Sequence, residues 1–235
     1  QPVWRADRPQ HGRFQEFYQC DADIVGERSL WQEVEVLALY DRAFSDLKRE
    51  GVTLKINHRK ILAGIAGKLG AEERLVDFTI ALDKLDKIGK EGVFKELSSK
   101  EFTPNALDLL EELLSLKGSA AKQLEVLKSI LSDQPEGLKG IEELEFIFKQ
   151  LNPSALHTVN LNFDLTLARG LHYYTGMIVE VSAPESVKMG SIGGGGRYDD
   201  LTAIFGLNTM SGIGVSFGFE RIYLVMEELH LFPDE

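Results

Sequence analysis

A block of helical character interrupts a chain that elsewhere alternates like a β-sheet. Within residues 59–157, Leu, Lys and Glu dominate, and LDLLEELLSL, QLEVLKSIL and LEFIFKQL each repeat apolar residues at helical spacing. Helix-breaking residues divide the block at Gly89, Pro104, Gly118, Pro135 and Pro153. Because β, α and β patterns precede it and strands follow it, the sequence predicts an α+β core, residues 1–58 and 158–235, divided by a helical insertion, residues 59–157.

The segment FQEFYQCDADI alternates in polarity as a single strand does. It places Phe17, Gln19, Asp21 and Asp23 on one face and Tyr18, Cys20, Ala22 and Ile24 on the other. The second face is expected to pack on the core, and the polar face either meets water or does chemical work. Carboxylates this close repel each other unless a cation or a donor lies between them.

The next apolar residues follow helical spacing from Ser29, and Gly51 stands where a helix C-cap is expected. Val52, Leu54 and Ile56 then alternate as a strand. After the helical block, a longer strand is expected in HTVNLNFDLTLARG, with Arg169 continuing the face of Val159, Leu161, Phe163, Leu165 and Leu167. MIVEVSA, a strand at 212–216 and a helix ending at Leu231 complete the prediction.

Composition limits the class of protein. The net charge of −11, from 26 Lys and Arg against 37 Asp and Glu, argues against a protein that coats nucleic acid through bulk positive potential. The single Cys20 cannot form an internal disulfide, and the five His residues lack zinc-ligand spacing. With no apolar run of about 18 residues and no signal pattern, a cytoplasmic protein without a membrane segment is expected. The start at Gln-Pro-Val-Trp, without Met, suggests a fragment.

The segment GSIGGGGRYDDL is the most visible motif, but it lacks the Lys-Ser/Thr of a phosphate-binding P-loop and the context of a dinucleotide site. Glycines at 193–196 allow the backbone to approach a ligand or a neighbouring strand where a Cβ would clash. A flexible loop is the alternative. Because the glycines run directly into Arg197, Tyr198 and an apolar segment, we expect a packed, functional turn.

Arg5, Arg169 and Arg221 each stand beside a predicted strand end or helix start. Guanidinium groups stay charged and offer forked donors, so three of them suit a triphosphate. For Arg221, an ordinary helix-surface pair with Glu explains the pattern equally well. Tyr173 and Tyr174 are adjacent and face opposite ways in an extended chain, so one is expected in the core while the other can contact a substrate.

Four segments, in order along the chain, resemble the histidyl-tRNA synthetase family of class II aminoacyl-tRNA synthetases. WRADRPQHGRFQEFYQCDAD resembles motif 2, ARGLHYYTGMIVEV resembles the histidine signature RGLDYYTG, GGGGRYDDL resembles the glycine-rich segment after it, and GIGVSFGFERIYLVMEE resembles motif 3. The resemblance implies an antiparallel sheet flanked by helices, with a helical insertion. It implies a histidine–tRNA ligase that activates histidine with ATP, with Mg²⁺ at ligands that cannot be assigned, and transfers it to histidine tRNA as a homodimer. It implies no metal site built by the protein itself.

The resemblance also implies roles for individual residues. The catalytic residues are Arg5, at the α-phosphate, Arg169, near the α-phosphate where related enzymes use a metal ion, and Arg221, at the γ-phosphate. ATP is contacted by Arg5, Asp7, Arg13, Phe17 and Arg221, with Phe17 on the adenine ring, Asp7 near it, and Arg13 near the phosphates or the tRNA end. Histidine is contacted by Gln19, Asp23, Arg169, Tyr173, Tyr174 and Tyr198.

One residue departs from the family pattern, since His172 stands where the signature usually has Asp. A neutral or cationic imidazole there changes the local field. The rival interpretation is a synthetase-like regulatory subunit of ATP phosphoribosyltransferase, which binds histidine without catalysis. Such relatives typically lose the ATP arginines, so the presence of Arg5, Arg169 and Arg221 favours the enzyme. A nucleotide-binding structural module leaves the histidine-specific motifs unexplained.

Overall fold

A six-stranded sheet organises the computed structural model, which describes residues 1–48, 50–151, 156–169, 173–207 and 209–232. The strands are β1 (Pro2–Trp4), β2 (Glu16–Tyr18), β3 (Cys20–Val25), β4 (Thr53–His58), β5 (Asn160–Phe163), β6 (Met177–Ser182), β7 (Ser191–Tyr198) and β8 (Gly212–Phe217). The helices are α1 (Trp31–Asp46), α2 (Arg59–Lys68), α3 (Leu75–Asp83), α4 (Leu85–Ser99), α5 (Pro104–Leu114), α6 (Ala120–Ile130), α7 (Pro135–Leu151) and α8 (Phe219–Glu228).

The sheet has the strand order β3-β8-β7-β6-β4-β5 and is antiparallel except for the β4–β5 pair. β1 and β2 form a separate antiparallel ribbon. The two faces of β7 meet different neighbours. A Cβ on Gly193 would lie 3.2 Å from the ring of Tyr40 in α1, whereas a Cβ on Gly196 would lie 2.9 Å from the ring of Tyr174. Helix α1 therefore covers one face, and the tyrosine pair lies on the other.

Helix α1 packs on the sheet through Leu37 and Phe44, which fit the predicted helical spacing, and through Tyr40, which the sequence did not single out. Leu37, Tyr40 and Phe44 are completely buried. The hydroxyl of Tyr40 donates to the carbonyls of Gly194 and Ser216, at 3.2 and 2.9 Å, and so satisfies a polar group inside the core. The predicted strand at Val52–Ile56 is confirmed by β4, which begins one residue later, and Val52, Leu54 and Ile56 are all buried.

Helices α2 to α7 lie between β4 and β5, as the Leu-rich pattern predicts. Pro104 and Pro135 are the first residues of α5 and α7, where a missing N–H costs least. Helix α7 returns to α2 at a close contact, because a Cβ on Gly64 would lie 2.7 Å from the Cα of Gly137. Pro153 lies outside the described residues. That residues 59–157 form a domain of their own stays a prediction.

Three predicted element ends are wrong. Helix α8 ends at Glu228 and not at Leu231. Helix α1 ends at Asp46 with Leu47 as its C-cap, so Gly51 is not the cap and instead lies in the turn before β4. The strand predicted through Leu165 and Leu167 ends at Phe163. Its end follows from Asp164, whose Oδ1 accepts hydrogen bonds from the backbone N–H and the hydroxyl of Thr166, at 3.0 and 2.6 Å. Such Asx turns compete with ladder hydrogen bonds.

The single strand predicted over residues 14–24 is in fact two strands in different sheets. β2 pairs with β1, and β3 pairs with β8, with Gln19 between them. Ala22 and Ile24 pack against the core as expected, but Tyr18 is 57% exposed and Cys20 is also exposed. The glycines at 193–196 lie in the strand β7 and not in a turn. No helix in the described part of the chain has the length and apolar character needed to cross a bilayer.

Candidate active site

A cavity of about 400 Å³ lies where the β1–β2 ribbon, strands β7 and β8 and the start of α8 meet. It gathers eight of the residues that the sequence singled out, from positions far apart in the chain: Arg5, Arg13, Phe17, Gln19, Arg169, Tyr173, Tyr174 and Arg221. Asp7, Asp23 and Tyr198 are the predicted residues that do not line it. The fold therefore brings four arginines to one concave surface.

The glycine strand forms one wall of this cavity through Gly193, Gly194 and Gly195. At Gly195 a Cβ would lie 2.1 Å from the carbonyl oxygen of Gly214, closer than any real contact. At Gly196 it would lie 2.5 Å from the carbonyl oxygen of Met177. The predicted close approach of backbone is thus confirmed, and its reason is strand packing in the centre of the sheet.

Asp7 does not line the cavity, and its carboxylate is instead bound by two arginines. Arg13 donates to Asp7 Oδ2 from Nε at 3.1 Å and from Nη2 at 2.8 Å, and Arg5 Nε lies 3.4 Å from the same oxygen. Asp7 is thereby bound to two arginines. The guanidinium of Arg5 lies 4.1 Å from the centroid of the Phe17 ring and donates to the carbonyl of Phe14. Asp7 holds the arginines of the ribbon in place.

Arg221 lies in the first turn of α8, and its side chain reaches the loop between β1 and β2. Its Nε donates to the carbonyl of Gly12 at 2.7 Å, and its Nη1 donates to the carbonyl of Ser191. The helix-surface pair with Glu is not formed, since among the described residues no carboxylate makes an ion pair with Arg221. Burial, followed by the charges of Arg5, Arg169 and Arg13, lowers the pKa of Arg221. The cavity is therefore locally positive although the chain is acidic.

Arg169 lies beyond the turn that ends β5, and its guanidinium forms an ion pair with Glu180 of β6. Burial raises the pKa of Glu180, and the nearby charges of Arg169 and Lys55 oppose that rise. Sequence reasoning did not single out Glu180. The available signal was a lone carboxylate inside the otherwise apolar strand MIVEVS, which the alternation made look like a solvent-facing position.

Tyr173 and Tyr174 have ring centroids 4.3 Å apart, and both line the cavity. Tyr174 packs against the core, whereas Tyr173 is 44% exposed, which is the division that the sequence predicted. Burial, together with the hydroxyl of Tyr173, raises the pKa of Tyr174, so its phenol is neutral at physiological pH. The neighbouring His172 lies outside the described residues.

Asp23 and Tyr198 pair with each other. The Tyr198 hydroxyl donates to Asp23 Oδ1 at 2.6 Å, and burial and this carboxylate raise the pKa of the phenol. A Cβ on Gly214 would lie 1.9 Å from Asp23 Oδ1, so glycine is required between them. Asp21, two residues earlier, accepts a hydrogen bond from the Gln19 amide. A donor therefore relieves each carboxylate of β3, as the repulsion argument required.

Arg197 adjoins the glycines in sequence but has a different environment. It is 4% exposed and donates to both carboxylate oxygens of Glu33 in α1, to the hydroxyl of Ser211 and to the carbonyls of Glu27 and Ser29. Every arm of the guanidinium has a partner. Arg197 therefore fastens α1 to β7 and does not face the cavity.

The donor set of the cavity does not suit a metal ion bound by the protein itself. Hard cations such as Mg²⁺ prefer carboxylate and carbonyl oxygens, whereas the polar groups that converge here are mostly guanidinium. In the ranges that the structure describes, no group of three or more His, Cys, Asp or Glu side chains could hold a metal. We assign no metal ligand and derive no step through a metal.

Comparisons with known proteins show the family of the chain. The family model described as histidyl-tRNA synthetase matches residues 1–222. The histidine–tRNA ligase of Christiangramia forsetii is 61% identical over 233 residues, covering 99% of this chain and 51% of that protein. That of Flavobacterium johnsoniae is 60% identical over 234 residues, covering 100% and 49%. The chain thus spans about half the length of the curated relatives it matches.

Solved structures show the same fold. The histidyl-tRNA synthetase from Nostoc sp. PCC 7120 matches with a TM-score of 0.88 at 27% identity, covering 99% of this chain and 54% of that one. An ATP phosphoribosyltransferase regulatory subunit/histidyl-tRNA synthetase from Bacillus halodurans matches with a TM-score of 0.78 at 25% identity, covering 97% and 56%. The predicted α+β class, with a mostly antiparallel sheet flanked by helices, is confirmed.

Proposed function

Because the chain belongs to the histidyl-tRNA synthetase family, we propose that it forms the ATP- and histidine-binding part of a histidine–tRNA ligase. The reaction activates histidine with ATP and transfers it to the 3′ end of histidine tRNA. One observation carries the proposal. Four arginines from distant parts of the chain line one cavity, and burial together with the charges of the other three lowers the pKa of Arg221. Asp7 and Glu180 pair with three of these arginines, but among the described residues no carboxylate pairs with Arg221, and the excess of positive charge is suited to a triphosphate.

In the proposed reaction, a carboxylate oxygen of histidine attacks the α-phosphorus of ATP. The bond from that phosphorus to the bridging oxygen breaks, and pyrophosphate leaves with the electron pair. Arg5 and Arg169 stabilise the charge that develops at the α-phosphate, and Arg221 holds the γ-phosphate. The protein supplies no nucleophile, so orientation and preorganised charge provide the rate. Arg13 acts near the phosphates or the tRNA end.

Histidine is proposed to lie against Gln19, Tyr173 and Tyr174, beside Arg169. The neutral phenol of Tyr174 offers a donor and an acceptor inside the cavity. The hydrogen-bonded pair of Asp23, which is exposed, and Tyr198, which is buried, lies on strands β3 and β7, on either side of β8, and is proposed to supply the remaining polar contacts. A site that hydrogen-bonds both ring nitrogens rejects analogues lacking them by roughly 10⁴–10⁵-fold, so selectivity needs no editing step.

The adenine ring is proposed to stack on Phe17. In the structure the guanidinium of Arg5 lies over this ring, at 4.1 Å from its centroid. Aromatic and guanidinium planes can share one stack with a base. Asp7, which binds Arg5 and Arg13, acts near the adenine by fixing the ribbon. ATP enters as a substrate, and Mg²⁺ enters with it.

The protein in its natural length is proposed to be a cytoplasmic homodimer. The support for both the cytoplasmic location and the homodimer is membership of the histidyl-tRNA synthetase family. Sedimentation equilibrium measures the assembly directly. A monomeric mass across micromolar concentrations would contradict the dimer.

The second candidate is a regulatory subunit of ATP phosphoribosyltransferase. The Bacillus halodurans protein that carries this description is 25% identical, whereas the Christiangramia forsetii ligase is 61% identical, so the ligase is favoured. Histidine-dependent exchange of pyrophosphate into ATP, measured on the protein in its natural length, decides between the two. Exchange that requires histidine is expected. Binding of histidine without exchange would support the regulatory subunit.

A further inference from the structure

Asn57, in the strand next to the edge strand β5, holds one distant segment of backbone through both protons of its side-chain amide. The residue is completely buried in β4. Its Nδ2 donates to the carbonyl of Leu165 at 3.0 Å and to the carbonyl of Leu167 at 2.9 Å, and its Oδ1 accepts the N–H of His58 at 2.8 Å. Both amide protons thus serve a segment more than one hundred residues away in the chain.

That segment has no sheet partner of its own after β5 ends. Asp164 donates its N–H to Ile56 at 2.9 Å, and from there to Arg169 the chain is irregular. The buried side chains of Leu165 and Leu167 pack this segment against the core. The Asn57 amide connects this segment to the sheet through hydrogen bonds to the carbonyls of Leu165 and Leu167. Arg169 follows Leu167 by only two residues, so the amide fixes where its backbone begins.

The guanidinium of Arg169 is held from the same sheet. Its partner Glu180 is opposite Lys55 in the β6–β4 ladder, and Ile178 is opposite Asn57. Alternation places Lys55 and Asn57 on one face of β4. The segment that leads to Arg169 and the guanidinium of Arg169 are therefore held at neighbouring positions of one sheet, the segment by Asn57 and the guanidinium by Glu180.

We propose that Asn57 is a positioning residue for Arg169, and this inference rests on the function proposed above. Asn57 contacts neither ATP nor histidine. It sets the place of the Leu165–Leu167 carbonyls, and so the place from which Arg169 reaches the α-phosphate. A misplacement of about 1 Å in a catalytic group costs on the order of 10²-fold in rate. Loss of the amide should therefore lower kcat more than it raises either KM.

A double-mutant cycle in pyrophosphate exchange tests the proposal on the protein in its natural length. Asn57→Ala alone should lower kcat by about 10- to 100-fold. In the Arg169→Ala background the same substitution should lower it by less than about 2-fold, because the group that Asn57 positions is already gone. The matched control is Asp41→Ala, which frees the backbone at the other end of β5. Its effect should be the same factor in both backgrounds.

The outcomes are distinguishable. Equal losses from Asn57→Ala in both backgrounds, or a rise in KM with kcat unchanged, would overturn the positioning role. Absence of histidine-dependent exchange in the unmodified protein would instead remove the proposed function. Asn57→Ser, which keeps a hydroxyl for the His58 N–H but is too short to reach both carbonyls, repeats the cycle if Asn57→Ala does not fold. It must show the same dependence on Arg169.

Discussion

Arg221 and Arg197 are both partly or fully buried beside the central strands, yet their surroundings have opposite effects. Arg221 lies among Arg5, Arg13 and Arg169, and burial and these charges lower its pKa. Around Arg197, burial opposes the charge, but the hydrogen bonds and charge of Glu33 outweigh it and raise the pKa. One guanidinium is surrounded by like charge and the other is fully paired.

The difference teaches how to separate a binding site from a structural ion pair. A buried charge with all its donors satisfied completes its interactions within the fold. A cluster of like charges on a cavity wall whose carboxylate partners leave an excess of positive charge can bind a ligand of opposite sign. The same contrast holds for two carboxylates. Asp41 is bound by backbone N–H groups, whereas Glu180 is paired with the side chain of Arg169 and its pKa is raised by burial.

Replacing Arg197 should have the largest effect. Arg197→Ala leaves the Glu33 carboxylate buried without its partner, which costs about 3–5 kcal/mol in the free energy of unfolding. Urea unfolding measures this loss. The double variant Arg197→Met with Glu33→Leu is the control, because it removes both charges and should lose much less. A stable Arg197→Ala protein that has lost only exchange activity would break the comparison.

Replacing Arg169 should have the opposite profile. Arg169→Ala should lower adenylate formation by about 10²–10³-fold, the cost of one preorganised donor. Its side chain is 53% exposed, so the free energy of unfolding should change little. Pyrophosphate exchange and urea unfolding on the same preparation separate the two effects. An unchanged exchange rate would refute the role assigned to Arg169.

Asp41 should contribute a smaller, pH-dependent amount of stability. Its carboxylate accepts three backbone N–H groups, from His157, Thr158 and Val159, at 3.0, 2.9 and 3.0 Å. Burial opposes ionisation, but these donors outweigh it and lower the pKa. Asp41→Ala should cost about 1.5–3 kcal/mol at neutral pH.

The pH dependence of that cost has a defined sign. Because the folded pKa of Asp41 lies below the unfolded value of about 3.9, its stabilisation is present above that value. It is lost as the pH falls through the folded pKa. Urea unfolding of the unmodified protein and of Asp41→Ala should therefore converge below about pH 4. A constant difference between them down to pH 2 would contradict this account.

Glu180→Gln should have the smallest effect on stability, within about 1 kcal/mol at pH 7. The folded pKa of Glu180 is raised, so its ionised form costs stability at neutral pH, and this cost disappears as the pH falls through the raised pKa. The unmodified protein should thus gain stability relative to Glu180→Gln as the pH falls from 7 towards the ordinary Glu pKa of about 4.3. A relative loss over that range would show that the Arg169 pair outweighs burial.

Much of this fold could be predicted from local patterns. β4, β6, β8 and the helices between β4 and β5 follow from alternation and helical spacing. The end of β5 could have been found from the order Asp164, Leu165, Thr166, since Asp two residues before Thr is a common Asx turn. Sequence alternation alone could not show that β2 and β3 belong to different sheets, because both continue one polar and apolar pattern.

The candidate site was predictable to a lesser degree. Motif order singled out the arginines and tyrosines, but no local pattern shows that Asp7 binds two arginines outside the cavity wall. Glu180 was missed because a carboxylate in a strand ordinarily indicates a solvent-facing position. Asn57 was missed because a buried Asn is recognised only by the carbonyls it meets, and these belong to the other side of the helical block.

By itself, the sequence determined the helical block, the strands on each side of it, the family and the set of charged and aromatic residues that could do the chemistry. These depend on short-range periodicity and on ordered motifs. Tertiary structure alone decided that Arg5, Arg169 and Arg221 share a cavity with Arg13 while Arg197 is paired inside the core. The reason is that compensation of a charge depends on long-range neighbours, and only the folded sheet brings those neighbours together.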